Sequence, residues 1–317
     1  MLATFEERSL APPAQGSAVS IGVFDGVHLG HRAILEANVR RARERGLVPT
    51  VVTFRRHPKR VLLGRAPRTL TSLEHRLELF RRAGIEHAVA LNFDDELRSL
   101  PPEEFIERFL IRGLDTRTFV LGFDSKFGRD RRGTAELLQR LGHDVEVVPV
   151  VLVQGRAVSS TAIREAVELG DLTGAARMLG RPVSVLGRVV HGEALGRSLG
   201  FPTANLDLHH ELHPPVGVYA CRAHRVPDLA DTRGRRSYDA VANIGFRPTV
   251  RGGGGPAEPR VEVHLFDFDG DLYGERLELE FVDRLRGEQR FDGPEALRQQ
   301  IARDVLQARE SLARSGG

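Results

Sequence analysis

Two histidines three residues apart, His28 and His31, stand in a glycine-rich turn that reads Ile21-Gly-Val-Phe-Asp-Gly-Val-His-Leu-Gly-His31. The turn follows an apolar segment and opens a helix-like one. Its imidazoles would therefore sit where a helix presents unpaired N–H groups and the positive end of its dipole. A spacing of three places both rings on one face of the first turn. Gly22, Gly26 and Gly30 let a ligand approach the backbone, with Phe24 and Asp25 between them. This is the chemistry of a nucleotide phosphate site that uses imidazole in place of lysine. The lysine version, G-x-x-x-x-G-K-[ST], is missing: Lys59 and Lys126 are the chain's two lysines, and neither has that context. Half of a metal site is another reading of His-x-x-His, although one cysteine and no nearby third ligand speak against closed zinc. A plain strand-to-helix turn with two solvated histidines is a third.

Three more clusters share the first half. Thr53-Phe54-Arg55-Arg56-His57-Pro58 ends a strand-like run. Gly122-Phe-Asp124-Ser125-Lys-Phe-Gly128 continues as Arg-Asp-Arg-Arg-Gly133, rich in glycine and arginine. Ser159-Ser160-Thr161-Ala-Ile-Arg164 opens a helix. Each has a dull reading on its own: a proline turn, a solvated basic loop, an N-cap. Their placement at the ends of successive strands is what gives them weight.

The elements that must hold these residues alternate between two periods. Strand-like segments at 18–23, 48–54, 87–93, 118–123 and 145–153 alternate with helix-like ones at 32–45, 73–83, 102–110 and 134–141. Such alternation predicts a parallel sheet covered on both faces, with ligands beyond the carboxyl ends of its strands. Character changes after a helical stretch at 162–179, and Gly180-Arg181-Pro182 marks the join. Short segments at 183–190, 216–223, 238–244, 260–267 and 276–281 then predict an antiparallel sheet or small barrel. A closing helix follows, with Asp292 as cap, Glu295 completing a capping box, and Leu297, Ile301, Val305 and Leu312 as its apolar stripe. The loops at 226–237 and 251–259 are expected to be mobile.

Composition bounds the class. The 317 residues are 41% hydrophobic and 28% charged, as in a soluble globular protein. A lone cysteine, Cys221, rules out an internal disulfide and fits a reducing cytosol, so a cytoplasmic location is expected. No apolar run approaches membrane-spanning length, and the first residues carry acids where a signal peptide needs an apolar core. The net charge is only +3 and acids are interleaved throughout. The arginines are therefore read as local phosphate sites, with neither nucleic acid nor membrane as a partner. Oligomeric state is not legible.

The four clusters resemble the adenylyltransferase half of the bacterial bifunctional riboflavin kinase/FAD synthetase family. Beyond the join the chain carries Gly187-Arg-Val-Val-His191-Gly, Gly196-Arg197-Ser-Leu-Gly200-Phe-Pro-Thr203-Ala-Asn205, Gly217-Val-Tyr219, Asn243-Ile-Gly-Phe-Arg-Pro-Thr249 and Glu262-Val-His-Leu-Phe-Asp-Phe268. These are similar to the family's riboflavin kinase module, in its order and spacing. The resemblance implies a Rossmann-like nucleotidyltransferase domain over 1–180. It implies an antiparallel β-barrel kinase domain with a terminal helix over 181–317. Two departures stand out. The family often has an acid and a proline before its His-Pro, where this chain has Arg55-Arg56, and an aromatic residue where it has Ser125.

The implied chemistry is phosphorylation of riboflavin to FMN by ATP, then adenylyl transfer from a second ATP to give FAD and pyrophosphate. Glu262 is implied as the base for riboflavin's hydroxyl. Thr203 and Asn205 are implied as oxygen ligands of Mg²⁺, and Gly196, Arg197 and Gly200 as a flap over the nucleotide. His28 and His31 are implied to neutralise charge at the α-phosphorus, with Gly22, Phe24, Asp25 and Gly30 forming their turn. Ser159, Ser160 and Arg164 would hold the leaving pyrophosphate. Phe54, His57 and Asp124 would border flavin or nucleotide. The competing readings are a non-catalytic flavin-binding regulator, a nucleotidyltransferase with another phosphorylated acceptor, and an RNA-binding protein.

Overall fold

The computed structural model describes the chain except residues 6–9, 59–60, 62–63, 65–66, 193–194, 209–210, 228–235, 246–259 and 316–317. The loops expected to be mobile at 226–237 and 251–259, and the last residues of the 243–249 motif, lie largely or wholly outside the described residues. The chain divides into two compact units, Met1–Ser160 and Thr161–Gly317. The join at Gly180-Arg181-Pro182 lies inside the second unit, two helices past that division.

The first unit is built on a six-stranded sheet. Its strands are β1 (Leu2–Thr4), β2 (Ser17–Ile21), β3 (Val48–Phe54), β4 (His87–Leu91), β5 (Thr116–Gly122) and β6 (Val145–Val148). They lie in the order β1-β4-β3-β2-β5-β6, and every pairing is parallel. All residues of β2 and β4 are buried, as strands covered on both faces require. The three-residue β1 was not expected, being too short to show a period. Helix α1 (Leu29–Arg45) starts three residues before the expected boundary, which makes His28 its N-cap and puts His31 in its first turn. It stops at Gly46, whose φ of 65° a side chain would resist. Helix α2 (Leu73–Arg82) is capped by the Ser72 hydroxyl, which accepts from His75 N.

Several expectations need correction. The strand at 145–153 ends at Val148, because Pro149 has no N–H to give a ladder. The residues beyond form a separate hairpin, β7 (Leu152–Val153) with β8 (Arg156–Ala157), around a Gln154-Gly155 turn with positive φ at both positions. The helix at 102–110 is α-helical only over Pro102–Phe105 and widens to a π-helix over Ile106–Arg112. The helical stretch at 162–179 is two helices, α3 (Ser160–Leu169) and α4 (Leu172–Leu179). Gly170 breaks them apart, and Asp171 caps the second by accepting from Gly174 N at 2.8 Å.

The second unit closes β9 (Val183–Val190), β10 (Ala204–Asp207), β11 (Gly217–Val226), β12 (Arg236–Gly245), β13 (Arg260–Leu265) and β14 (Arg276–Arg286) into a barrel. All its pairings are antiparallel. Strand β10 was not among the segments expected from sequence. Alternation sends Val185, Cys221, Val261, Val263, Leu279 and Phe281 into a dry interior. The terminal helix α5 (Pro294–Arg314) packs Val305, Ala308 and Leu312 against Val218, Ala220 and Val241 on the outer wall. Its expected capping box does not form. Gly293 is the N-cap and Pro294 opens the helix, while the Glu295 carboxylate accepts instead from Arg298 and Gln299.

The sheet's own fastening is Asn38, fully buried on α1. Its Nδ2 donates to Ala18 O (3.0 Å), Ser20 Oγ (2.9 Å) and Thr50 O (3.2 Å), tying α1 to both β2 and β3. Asn38→Ala leaves those acceptors buried without their donor. Denaturant unfolding should show a loss of about 2–3 kcal/mol; a change near zero would assign the fastening to apolar packing alone.

Candidate active sites

In the first unit the strand order reverses between β2 and β5, since β3 and β4 run outward on one side and β6 on the other. A crevice opens at such a point beyond the carboxyl ends of the two central strands. The turn from Gly22 to His28 lies there. Phe24 (φ 52°), Gly26 (φ 81°) and Val27 (φ 39°) all take left-handed backbone, a conformation that a β-branched residue strongly resists.

Two buried charged residues hold that shape. Asp25 is buried, and its carboxylate accepts from Leu70 N and Thr71 N, both at 3.1 Å, and from the Thr71 hydroxyl at 3.3 Å. Gly26 N donates to the same Thr71 oxygen at 2.9 Å. Arg76 of α2 donates to Val23 O (2.6 Å), Thr53 Oγ1 (3.2 Å) and Phe54 O (3.0 Å), joining the turn to the end of β3. Sequence reasoning missed Arg76 altogether, since nothing local separates it from the chain's other helix arginines.

The two histidines stack, with ring centroids 3.6 Å apart and planes 16° from parallel. His28 Nδ1 accepts from His31 N at 3.3 Å as the cap of α1. A neutral His28 so placed carries its proton on Nε2. Burial first, then the neighbouring His28 and the Arg76 charge, push the His31 imidazole well below its usual value. His31 is therefore neutral at physiological pH, and its Nδ1 is buried without a hydrogen-bond partner. The Phe24 ring meets His31 edge-on at 5.2 Å. The neighbouring glycines make room for these rings. A Cβ at Gly22 would come within 3.0 Å of the Phe24 ring, and one at Gly30 within 3.3 Å of His28.

Ser160 joins this cluster by donating its hydroxyl to Asp25 O at 3.0 Å. Ser159 beside it is exposed. Arg164, one turn further on α3, is buried and belongs to the second unit. Phe54 closes β3 with its ring edge-on to Phe93 at 5.5 Å, and His57 follows it, half-buried. Asp124 is exposed just past β5. These three stand at the ends of β3 and β5, the strands on either side of β2, which leads into the histidine turn.

In the second unit, pairing registers set three polar residues side by side. Asn205 on β10 lies opposite Glu262 on β13, which lies opposite Asn243 on β12. Because Val261 and Val263 fill the interior, this row faces outward, under α5. It lines a cavity of about 290 Å³ to which Gly196, Thr203, Arg286 and Ile301 also contribute. Arg286 grips the buried Asp304 of α5 (2.7 Å from Nη2), and its guanidinium lies 5.6 Å from the centre of the Phe291 ring. Arg197 lies in a helical turn, Leu195–Ser198, and Gly200 in the loop after it; neither lines the cavity. That loop folds back by Phe201 N donating to Gly196 O at 2.8 Å. Asn243 and Arg286 went unnoticed as site residues, although Asn243 opens a quoted motif.

The residues present suit a divalent cation bound to phosphates. Asn205 Oδ1 is buried without a hydrogen-bond partner, and Thr203 offers a hydroxyl in the same cavity. Asn205 fits only because Gly192 has no side chain: a Cβ there would come within 2.1 Å of Asn205 Nδ2. Among the described residues, no group of three or more His, Cys, Asp or Glu converges into a metal site.

Comparison with known proteins identifies the family. The FAD synthetase family model matches residues 11–162, and the riboflavin kinase model matches 179–312. The bifunctional riboflavin kinase/FMN adenylyltransferase of Pseudomonas fluorescens is 41% identical, over 97% of this chain and 96% of its own length. That of Escherichia coli K12 is 37% identical over 94% and 93%. A Streptococcus pneumoniae crystal structure described as a macrolide-efflux protein superposes with a TM-score of 0.80 and 32% identity, covering 98% of this chain and 99% of that one. Among the described residues no helix is long and apolar enough to cross a membrane. Two consecutive family models and relatives matched nearly end to end leave one assignment: this chain belongs to the bifunctional riboflavin kinase/FMN adenylyltransferase family.

Proposed function

We propose that the barrel domain, 181–317, phosphorylates riboflavin and that the sheet domain, 1–180, adenylylates the FMN so made, with ATP as donor in both steps and the cytoplasm as the setting. One observation supports this most. A cavity-lining carboxylate set between two amides, which suits hydroxyl phosphorylation, occurs in the same chain as an imidazole pair heading a helix, which suits phosphate chemistry.

In the kinase half, riboflavin's 5′-hydroxyl attacks the γ-phosphorus of ATP. The O–P bond to FMN forms, the bond to ADP breaks, and Glu262 accepts the hydroxyl proton. Thr203 and Asn205 would hold Mg²⁺, and the cation, when bound, offsets charge on the ATP phosphates. Gly196, Arg197 and Gly200 fold over the nucleotide, while the Arg286–Asp304 pair fixes α5 as one wall of the cavity.

In the adenylyl half an FMN phosphate oxygen attacks the α-phosphorus of ATP, and the bond to pyrophosphate breaks. The nucleophile is already an anion, so no base is required. His28 donates from Nε2 to a phosphate oxygen, and His31, held neutral, is a second donor. Positive potential comes from the end of α1. Ser159 and Arg164 receive the pyrophosphate, whereas the Ser160 hydroxyl is committed to Asp25 O. Phe54, His57 and Asp124 border the substrates.

Separation of flavins by chromatography over time tests the two sites together. His28→Ala should lower FAD formation by about 10²–10³ and leave FMN formation nearly intact. Glu262→Gln should slow FMN formation by about 10² or more while supplied FMN is still adenylylated. Equal loss of both activities in either variant contradicts two independent sites.

The pH dependence has a definite sign. Because His31 is neutral in the folded enzyme, FAD formation should stay level between about pH 7 and 9. A fall with the titration of an imidazole would mean that its charged form is needed. Burial also lowers the pKa of His87. The unfolded chain takes up protons at His31 and His87 near their ordinary value of about 6.5, where the folded chain does not. Stability should therefore be full above that pH and decline as pH falls through it, measurable as a shift in denaturant midpoint.

A further inference from the structure

Arg55 and Arg56 directly follow β3, where the family often carries an acid and a proline. Arg55 N still donates to Leu91 O at 2.9 Å, so the chain remains paired with β4 at this point. Both arginines line a cleft of about 880 Å³ at the carboxyl ends of β3 and β4, a volume in the range of small-molecule sites. Leu91, Leu97, Leu100 and Phe109 form its apolar wall. The cleft adjoins the histidine turn, because the single guanidinium of Arg76 spans from Val23 O to Phe54 O, the residue before Arg55.

The charges around the cleft are unevenly matched. Asp94 is occupied at a helix start, accepting from Leu97 N at 2.9 Å and from Asn92 Nδ2 at 3.2 Å. Glu96 pairs with Arg108 at 3.6 Å. Among the described residues Arg55 and Arg56 have no carboxylate partner, and Arg55 instead lies 5.9 Å from the centre of the exposed Phe5 ring. On the opposite edge of the same sheet, Arg40, Arg41 and Arg45 are all paired with Asp144 or Glu146. Two cations unmatched beside the one apolar wall of this largely polar cleft suit a ligand with a flat ring at one end and a phosphate at the other.

We propose that Arg55 and Arg56 select the phosphorylated flavin in the adenylyl half: their guanidiniums receive the phosphate of FMN while the ring lies against the apolar wall. The inference rests on the adenylyl-transfer reading of the first unit. ATP is the weaker candidate occupant, since its phosphates are already served by the end of α1. The selection is useful in a chain that also handles riboflavin, which has the same ring and only a neutral hydroxyl.

Steady-state kinetics of FAD formation from supplied FMN and ATP test this in the full-length enzyme. The double variant Arg55→Ala/Arg56→Ala should raise KM for FMN about tenfold or more, as losing a charge-assisted phosphate contact does, with KM for ATP unmoved. Inhibition by lumiflavin, which has the ring but no phosphate, should not change. Arg55→Lys/Arg56→Lys should restore part of the loss, and circular dichroism checks that each variant is folded. An unchanged KM for FMN overturns the proposal. So does a rise in KM for ATP alone, or lumiflavin inhibition weakened by the same factor as FMN. Wild-type enzyme that forms no FAD would overturn the reading of the first unit instead, and this inference with it.

Discussion

The adenylyl site depends on a stretch of backbone that would not hold its shape alone. Phe24 and Val27 in left-handed conformations each cost on the order of 1–3 kcal/mol. The turn persists because Asp25 is bound to Leu70 and Thr71, while Arg76 is bound to Val23 and Phe54. Both clamps bury a charge, which is tolerated only where several hydrogen bonds satisfy it. Both also reach across the chain, so the turn's shape depends on β3 and α2 as well as on its own residues. The same burial that holds the turn removes the charge from His31. The neutral His31 can offer only a directed N–H, and positive potential falls to the helix terminus behind it.

The kinase site solves a different problem. Its polar row runs across the outer face of a barrel whose inner face is apolar. Closure of the barrel satisfies the backbone, so outward positions are free to carry chemistry once something covers them. That cover is α5, seated by Val305, Ala308 and Leu312 and locked by the Arg286–Asp304 pair. A strand in this wall serves the core with one face and the site with the other, which is why Glu262 sits between two buried valines in sequence.

Much of this was legible from residue patterns. The parallel sheet followed from continuous apolar strands, the barrel from short alternating ones, and the helix stop at Gly46 from its glycine. The failures share a cause: a local signal was read where a distant partner decides. Asp25 looked like a ligand contact, yet its carboxylate serves residues 45 and 46 positions away. Asp292 and Glu295 spelled a capping box that Pro294 and Arg298 displaced. Arg76 gave no signal, because its role exists only once three segments meet around it. The glycines of the histidine turn were read as room for a ligand, and two of them make room for neighbouring rings.

The two sites differ because their nucleophiles do. Riboflavin's hydroxyl is neutral, so the kinase half needs a proton acceptor, and it holds a carboxylate between two amides. The flanking amide oxygens can hold a cation without adding charge, and Asp304, which also lines the cavity, is paired with Arg286. FMN arrives as an anion and must meet a second polyanion, so in the adenylyl half a base would be idle. There the Asp25 carboxylate is taken up by Leu70 N, Thr71 N and the Thr71 hydroxyl, and the end of α1 supplies positive potential. The two units thus differ in their carboxylates: Glu262 of the barrel lines an open cavity, whereas Asp25 of the sheet unit is buried and fully engaged in holding its own turn.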